Sequence, residues 1–594
     1  MAGSAQAVHT GEVAGFVPAG FDGAKWERIE PLGRALLQRK VGSAREFERW
    51  LIDRSDFDAA CAEARANLYI AMTCRTDDAA VNAAWTKYLD DVAPKLKPLA
   101  FELDRRQVDL YRRFAAELDR SRHEVLERNT RLEVEMFRAE NVPLETEVEK
   151  LNLRFNQLCS EMTVEFEGAT RTLAQMARFL EEPDRSLRER AWRGIWQRRL
   201  RDREAIESIF DDMLVLRDRI ARNAGFPDFR DYQHRRYGRF DYSPRDCMAF
   251  HAAVEEHVVP FKRRIDERRR RRMGLESLRP WDMAVDEQAR PPLRPFEGGD
   301  DLVRKSRRLF LEMEKAGPAS NGSGSLAAMF AQLGDNGAPG ECLDLDSRKG
   351  KSFGGYQYMR DFSRRPFIFM NAAGVHSDVE TMVHEAGHAF HSMLCRDEPL
   401  LAYRTAPIEF AEVASMSMEL LSMPWWNVFY PSPEDCRRAV REHIERSVSY
   451  LTWMATIDAF QQWVYTNPRH SRTERRTFWL GLDARFGANL NWDGDDLLRD
   501  ARAWQWQRQI HLFSNPFYYI EYAIAQLGAL GLWMHAVEHG HASALARYRR
   551  ALSLGGSRPL PELFHAAGLP FDFGSDHVGA IVRAVERELE KLGD

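Results

Sequence analysis

The chain has 594 residues, 44% of them hydrophobic and 29% charged, enough for a large core in several layers or in two or more domains. Lysines and arginines number 85 against 90 acids, a formal net charge of −5, so bulk electrostatics give no case for nucleic acid or an acidic membrane as partner. The seven cysteines are scattered and lack any CxxC pair, which fits a reducing compartment and argues against a disulfide framework or a cysteine-zinc module.

From the N-terminus, Met1 to Trp26 carries Glu12, Asp22 and Lys25 and no basic segment followed by an apolar run, so no secretory signal is expected and the location read from it is cytoplasmic. Leu110, Phe114 and Leu118 share one face of a charged segment, predicting an amphipathic helix. Met162, Val164 and Phe166 alternate with Thr163, Glu165 and Glu167 and predict a strand. Ile206, Ile209, Phe210, Met213 and Ile220 form a broad helical stripe that stops at Gly225 and Pro227. Arg268 to Arg272, beside Asp266 and Glu267, reads as a solvated helical face. Two Pro/Gly-rich stretches, 273–300 and 317–340, read as surface loops. Phe367 to Met370 suggests a half-buried strand whose edge an extended peptide could pair with. Ala523 to Val537, interrupted by Gln526 and His535, is too short to span a bilayer comfortably and predicts a buried helix. Helical patterns dominate, so the fold class is mainly α.

His384-Glu385-Ala386-Gly387-His388 carries the chemistry. On a helix, residues four apart are rotated by only about 40°, so both imidazoles face one cation. Glu385, next to the first histidine, can take a proton from a metal-activated water. Ser377-Asp378-Val379-Glu380 suggests a capping box just upstream. A catalytic zinc needs a third protein ligand and an open position. The extended motif with Gly at its eighth position and His at its eleventh is excluded, because those residues are His391 and Leu394. The remaining source is an acid on a following helix: Ala406 to Leu421 contains Glu409, Glu412 and Glu419, and geometry alone does not choose among them. His391 shares the face of His384 and His388 and is read as packing or as a hydrogen-bonding partner behind the ligands.

These segments resemble the thimet oligopeptidase and oligoendopeptidase F family of zinc peptidases. The likeness rests on Gly350-Lys351-Ser352-Phe353-Gly354-Gly355-Tyr356, on Asp378 to His391, on Phe410 to Ser415 with Glu419, and on Pro516-Phe517-Tyr518-Tyr519-Ile520-Glu521-Tyr522-Ala523. Their order and spacing are closer to the bacterial oligoendopeptidase branch. The resemblance implies one zinc ion on His384, His388 and Glu412, with Glu419 behind a ligand histidine and His511, Tyr518 and Tyr522 as hydrogen-bond donors opposite the metal. It implies a mainly helical fold in two halves around a deep channel, with a small sheet near the site and short peptides as substrates. Residues 1–200 are then an N-terminal helical region forming part of the channel wall, and residues 201–594 the catalytic domain. Gly354, Gly355 and Tyr356 are the candidate substrate-binding residues, the glycines because they let a loop approach or move with substrate. Two departures stand out: Ala386 replaces a bulkier residue, and Ala525 stands where mammalian-type members carry a tyrosine.

The expected activity is zinc-dependent endopeptidase action on short peptides, with Glu385 as general base. Two alternatives remain at the level of sequence. An exopeptidase needs a fixed cation for the substrate's terminal carboxylate, with Arg348 and Arg404 near the motifs; a non-catalytic peptide-binding protein would have no use for Glu385.

Overall fold

Helices carry most of the regular structure, from Trp26–Gln38 to Ser575–Leu592, with five short strands among the described residues. The structure, a computed structural model, describes residues 15–315, 324–337, 342–348, 350–352 and 354–593. The helix Ala93–Phe114 buries Leu110 and Phe114, while Leu118 packs on the same cluster from beyond its end. The helix Arg203–Asn223 buries the whole stripe from Ile206 to Ile220 and stops before Gly225, whose φ of +85° suits glycine. The stretch 317–340, expected as a loop, contains the helix Leu326–Ala331; its residues 317–323 and 338–340 lie outside the described residues.

Apolar packing falls into two main clusters. One gathers buried residues between Val17 and Leu126 together with Leu400 and Tyr403; the other runs from Leu132 to Leu589. A division at 200/201 falls in the last turn of the helix Arg185–Arg201, whereas the packing changes partners earlier, between Leu126 and Leu132.

The strand β1 (Thr163–Phe166) forms a hairpin with β2 (Ala169–Thr172) through Glu167 and Gly168, both at positive φ as a two-residue hairpin turn requires. The strands β3 (Leu343–Asp346), β4 (Tyr356–Arg360) and β5 (Arg365–Ala372) form a sheet in the order β3-β5-β4, with β5 parallel to β3 and antiparallel to β4. This corrects the reading of Phe367 to Met370. That run is the central strand, buried on both faces, so the edges of the sheet belong to β3 and β4.

The arginine run also differs from expectation. Arg268 makes a two-pronged pair with Glu445, Arg272 pairs with Glu287 and Arg269 caps the carbonyls of Asp282 and Val285, so these side chains tie segments together and do not simply face solvent. Ala523 to Val537 lies inside the helix Tyr519–His539, most of which is buried. Among the described residues no helix is long and apolar enough to cross a membrane.

The histidine helix runs His376–Leu394 and the acid-bearing helix Ile408–Ser422. The expected capping box is not formed. The helix begins at His376, and the Asp378 carboxylate accepts the N–H groups of Val375 at 3.0 Å and Ala373 at 2.8 Å, while Glu380 turns inward. The two helices touch at Gly387: a Cβ there would lie 2.6 Å from the Ala414 carbonyl oxygen and 2.7 Å from Ser415 Cα. Only a residue without a side chain lets the backbones approach so closely.

Alanine usually favours a helix over glycine by about 1 kcal/mol, but at this crossing steric overlap with backbone reverses the sign. Gly387→Ala is expected to lower the melting temperature and to weaken metal binding about tenfold or more, read by chelator competition; parent-like values for both would contradict the crossing argument. A second prediction concerns His234, which is 5% exposed and makes no hydrogen bond through either ring nitrogen among the described residues. Burial first, then the charges of Arg239 and Arg230, push its pKa down from 6.5 to about 2. The unfolded chain therefore takes up a proton near pH 6.5 that the folded chain refuses until about pH 2. The stability this group contributes is complete above the unfolded value and falls through that window by up to about 1.4 kcal/mol per pH unit. Between pH 7 and pH 5 the parent should lose about 2 kcal/mol relative to His234→Leu in denaturant unfolding; an unchanged difference would count against it.

Candidate metal centre

The crossing at Gly387 brings Glu412 under the two histidines. One nitrogen from each of His384 and His388 and one carboxylate oxygen of Glu412 all lie within 4.8 Å of one another. Each imidazole Nε2 is 3.4 Å from Glu412 Oε2, and the rings stand nearly perpendicular with centroids 5.0 Å apart. Two imidazole nitrogens and one carboxylate oxygen aimed at a common point suit a zinc ion. Burial alone would raise the pKa of Glu412, but the neighbouring imidazoles of His388 and His384 hold it well below the usual carboxylate range. Burial would likewise lower His384, yet its bonds to Glu412 and Glu419 outweigh this and hold it well above 6.5. A divalent cation can take the place of the proton that these carboxylates favour.

The three acids of the second helix have separate partners. Glu409 accepts the Tyr242 hydroxyl at 2.6 Å. Glu412 accepts Ser415 Oγ–H at 2.9 Å on one oxygen and the Tyr518 hydroxyl at 3.0 Å on the other. Glu419 accepts His384 Nδ1–H at 2.6 Å, which fixes the ring and turns Nε2 toward Glu412, where a metal ion would displace its proton. Behind Glu419, His443 is wedged with Nε2 3.6 Å from it and Nδ1 2.7 Å from Glu380, which also pairs with Arg446.

Glu385 is buried and its Oε2 has no hydrogen-bond partner among the described residues. Burial raises its pKa, offset only in part by His384 and His388. Gly355 lies against it: a Cβ on that glycine would be 3.8 Å from Glu385 Oε1. The loop is held from behind, with the Asn371 amide donating to the carbonyls of Ser352 and Gly354 and the buried Lys351 ammonium bonded to Asp344 and to the Asp346 carbonyl. The Tyr356 side chain is anchored: its hydroxyl is 2.6 Å from Thr73 Oγ1 and its ring stacks on Phe369.

For His391 the observed contacts are those of packing, one of the two readings its position allowed. Its ring packs edge-on against Phe410, its Nε2 makes no hydrogen bond among the described residues, and burial pushes its pKa down to about 3. It is held as a neutral ring against Phe410. Ala386 and Ala525 are both fully buried in the helix cores.

Opposite the triad, the rings of His511, Tyr518 and Tyr522 cluster with centroids 4.9 to 5.8 Å apart. Tyr518 caps the helix Tyr519–His539 after a kink at Phe517, whose φ of +68° is rare outside glycine. Arg239 donates to the Phe517 carbonyl at 2.5 Å, and the Phe517 N–H reaches Gln461 Oε1 at 2.5 Å. The hydrogen bonds also assign the His511 tautomer. Trp453 Nε1–H donates to Gln509 Oε1 at 3.0 Å, so the Gln509 amide nitrogen, 2.8 Å from His511 Nδ1, is a donor and the ring proton sits on Nε2. Burial pushes His511 down to about 4, keeping it neutral at pH 7. Trp453, Gln509, Arg239 and Gly387 were not singled out in the sequence; of these, only Gly387 gave a local signal, a glycine inside an otherwise good helix.

Residues 178–576 match the model of Peptidase family M3. Among curated proteins, an oligoendopeptidase F homolog of Lactococcus lactis subsp. lactis (strain IL1403) is 23% identical over 355 residues, covering 57% of this chain and 53% of its own length. Oligopeptidase PepF of Bacillus subtilis (strain 168) is 24% identical over 273 residues, 46% of this chain and 40% of its own. The chain thus spans about half the length of the curated relatives it matches. Among solved structures, PZ peptidase A with inhibitor 2 aligns with a TM-score of 0.87 at 28% identity, over 96% of this chain and 97% of that one. Oligoendopeptidase-F from Enterococcus faecium aligns with a TM-score of 0.63 at 14% identity over 95% and 96%, a likeness of fold. With more than half of its length matched by the family model, and with HExxH and a distant glutamate meeting in space, the chain belongs to Peptidase family M3.

Proposed function

We propose that this chain is a zinc-dependent endopeptidase of short peptides, with His384, His388 and Glu412 as metal ligands. The observation that carries the reading is the convergence of those three ligand atoms within 4.8 Å, on the same helix that presents the buried Glu385. A bound zinc supplies Lewis acidity to a water molecule and to a peptide carbonyl. Glu385 accepts the water's proton and delivers it to the leaving amine, a task suited to a carboxylate whose pKa burial has raised. His511 through Nε2–H and Tyr522 through its hydroxyl donate to the oxygen that gains charge. Burial raises the pKa of Tyr522 well above 10, so it stays a donor at any working pH. Tyr518 holds Glu412 at 3.0 Å, and Glu419 holds His384. The free edge of β4 beside Gly355 offers backbone pairing to an extended peptide whatever its sequence.

Arg348 and Arg404, the cations an exopeptidase could use, are both engaged elsewhere. Arg348 pairs with Asp344, and Arg404 caps the carbonyls of Glu398, Asp361 and Pro399. Residues 1–200 would form part of the channel wall and residues 201–594 the catalytic domain. A cytoplasmic location suits the seven free cysteines, and neither nucleic acid nor membrane is expected as partner.

Glu385→Gln should fold, bind zinc like the parent and lose at least about a thousandfold in kcat on a quenched peptide; parent-like hydrolysis would sink the assignment. His388→Ala should lose zinc and activity together, with metal content read by elemental analysis, and Glu412→Ala should do the same. An unchanged zinc stoichiometry and affinity in Glu412→Ala would refute the choice of third ligand. Chelator should abolish cleavage in the parent and zinc should restore it.

A further inference from the structure

Most arginines of this chain pair with an acid or a carbonyl, as Arg268, Arg348 and Arg404 do. Arg508, beside the candidate metal centre, is different. It ends the short helix Gln505–Arg508, its residue is solvent-exposed, and its side chain has no ion-pair or hydrogen-bond partner among the described residues. Its guanidinium lies 4.8 Å above the Trp453 ring. Trp453 in turn bonds Gln509, and Gln509 bonds His511, so the cation is three contacts from a ring opposite the metal ligands. Tyr450, 43% exposed, has its hydroxyl 3.1 Å from that of Tyr519, whose ring is 5.0 Å from His511 and 5.5 Å from Tyr522.

The exposed Arg508 guanidinium thus has no acid bonded to it among the described residues, a positive charge that an anion relieves. Guanidinium groups suit carboxylates because they offer two parallel donors.

We propose that Arg508, bordered by Tyr450 and Trp453, is a specificity-determining site that binds a carboxylate of the peptide substrate. This rests on the peptidase reading above. The carboxylate is either the substrate's free C-terminus or an acidic side chain, and one peptide series separates the two sources.

The test uses zinc-loaded, full-length Glu385→Gln, which should bind peptides without turning them over, and isothermal titration calorimetry. Three versions of one peptide containing a single glutamate are compared: the free acid, the C-terminal amide, and the free acid with that glutamate replaced by glutamine. At least one neutral version should bind about tenfold more weakly at low salt, less so at high salt, and its identity names the carboxylate. Adding Arg508→Gln should bring the free-acid peptide to the level of that neutral version and erase the difference. Arg508→Lys, which keeps the charge but not the paired donors, should retain part of it. Equal binding of all three peptides overturns the proposal, as does a preference that survives in both Arg508→Gln and Arg508→Lys at full size. Failure of Glu385→Gln to bind any peptide, together with no cleavage by the parent, would overturn the peptidase reading itself, a result distinct from equal binding.

Discussion

The separation of two helix backbones at Gly387 governs the rest of the site. His384 and His388 need only a helix to share a face, but the third atom comes from another element and must arrive within bonding range of one cation. With the Ala414 carbonyl and Ser415 Cα closer to Gly387 than a methyl group allows, Glu412 is delivered by backbone packing, not by the reach of a long side chain. Glutamate has enough rotatable bonds to wander, and each oxygen is held: Ser415 on one, Tyr518 on the other. A preorganised donor set of this kind loses little entropy on taking up its ion.

Around it, support is layered with acids alternating with imidazoles. His384 leans on Glu419, Glu419 faces His443, and His443 bonds Glu380, which Arg446 neutralises. Each buried ionisable group meets a partner of opposite or complementary character, which is how such groups tolerate burial. Glu385 is the contrast. Its Oε2 is buried and without a partner, a costly arrangement for a residue with only a structural role and a useful one for a proton acceptor.

How far the sequence discloses this depends on whether a feature is local. The helical character, the stripe from Ile206 to Ile220 and the buried run from Ala523 are legible because helix periodicity and end signals lie within one segment. The pair His384 and His388 is legible for the same reason. Glu412 is not, since Glu409, Glu412 and Glu419 look alike until the crossing shows that Glu409 faces Tyr242 and Glu419 the back of His384. The place of Phe367 to Met370 in its sheet is not legible, because strand order is set by partners and an apolar run cannot say whether one face or both are covered. The brace of Arg239 on Phe517 and the Trp453-Gln509-His511 chain link residues far apart in the chain, and no spacing rule finds them.

The contact of β4 with the helix Ala44–Cys74 has a mechanical meaning. Tyr356 is bonded to Thr73, Tyr358 to Arg65 and Arg360 to Asn67, while the Ser352 N–H donates to the Thr73 carbonyl. The strand that flanks Glu385 is therefore riveted along its length to a helix from the opposite end of the chain, 283 residues away at Thr73. Any displacement of that helix is transmitted to the strand edge as a shear, so the alignment of an extended peptide with Glu385 is set jointly by residues near 70 and by the metal helix.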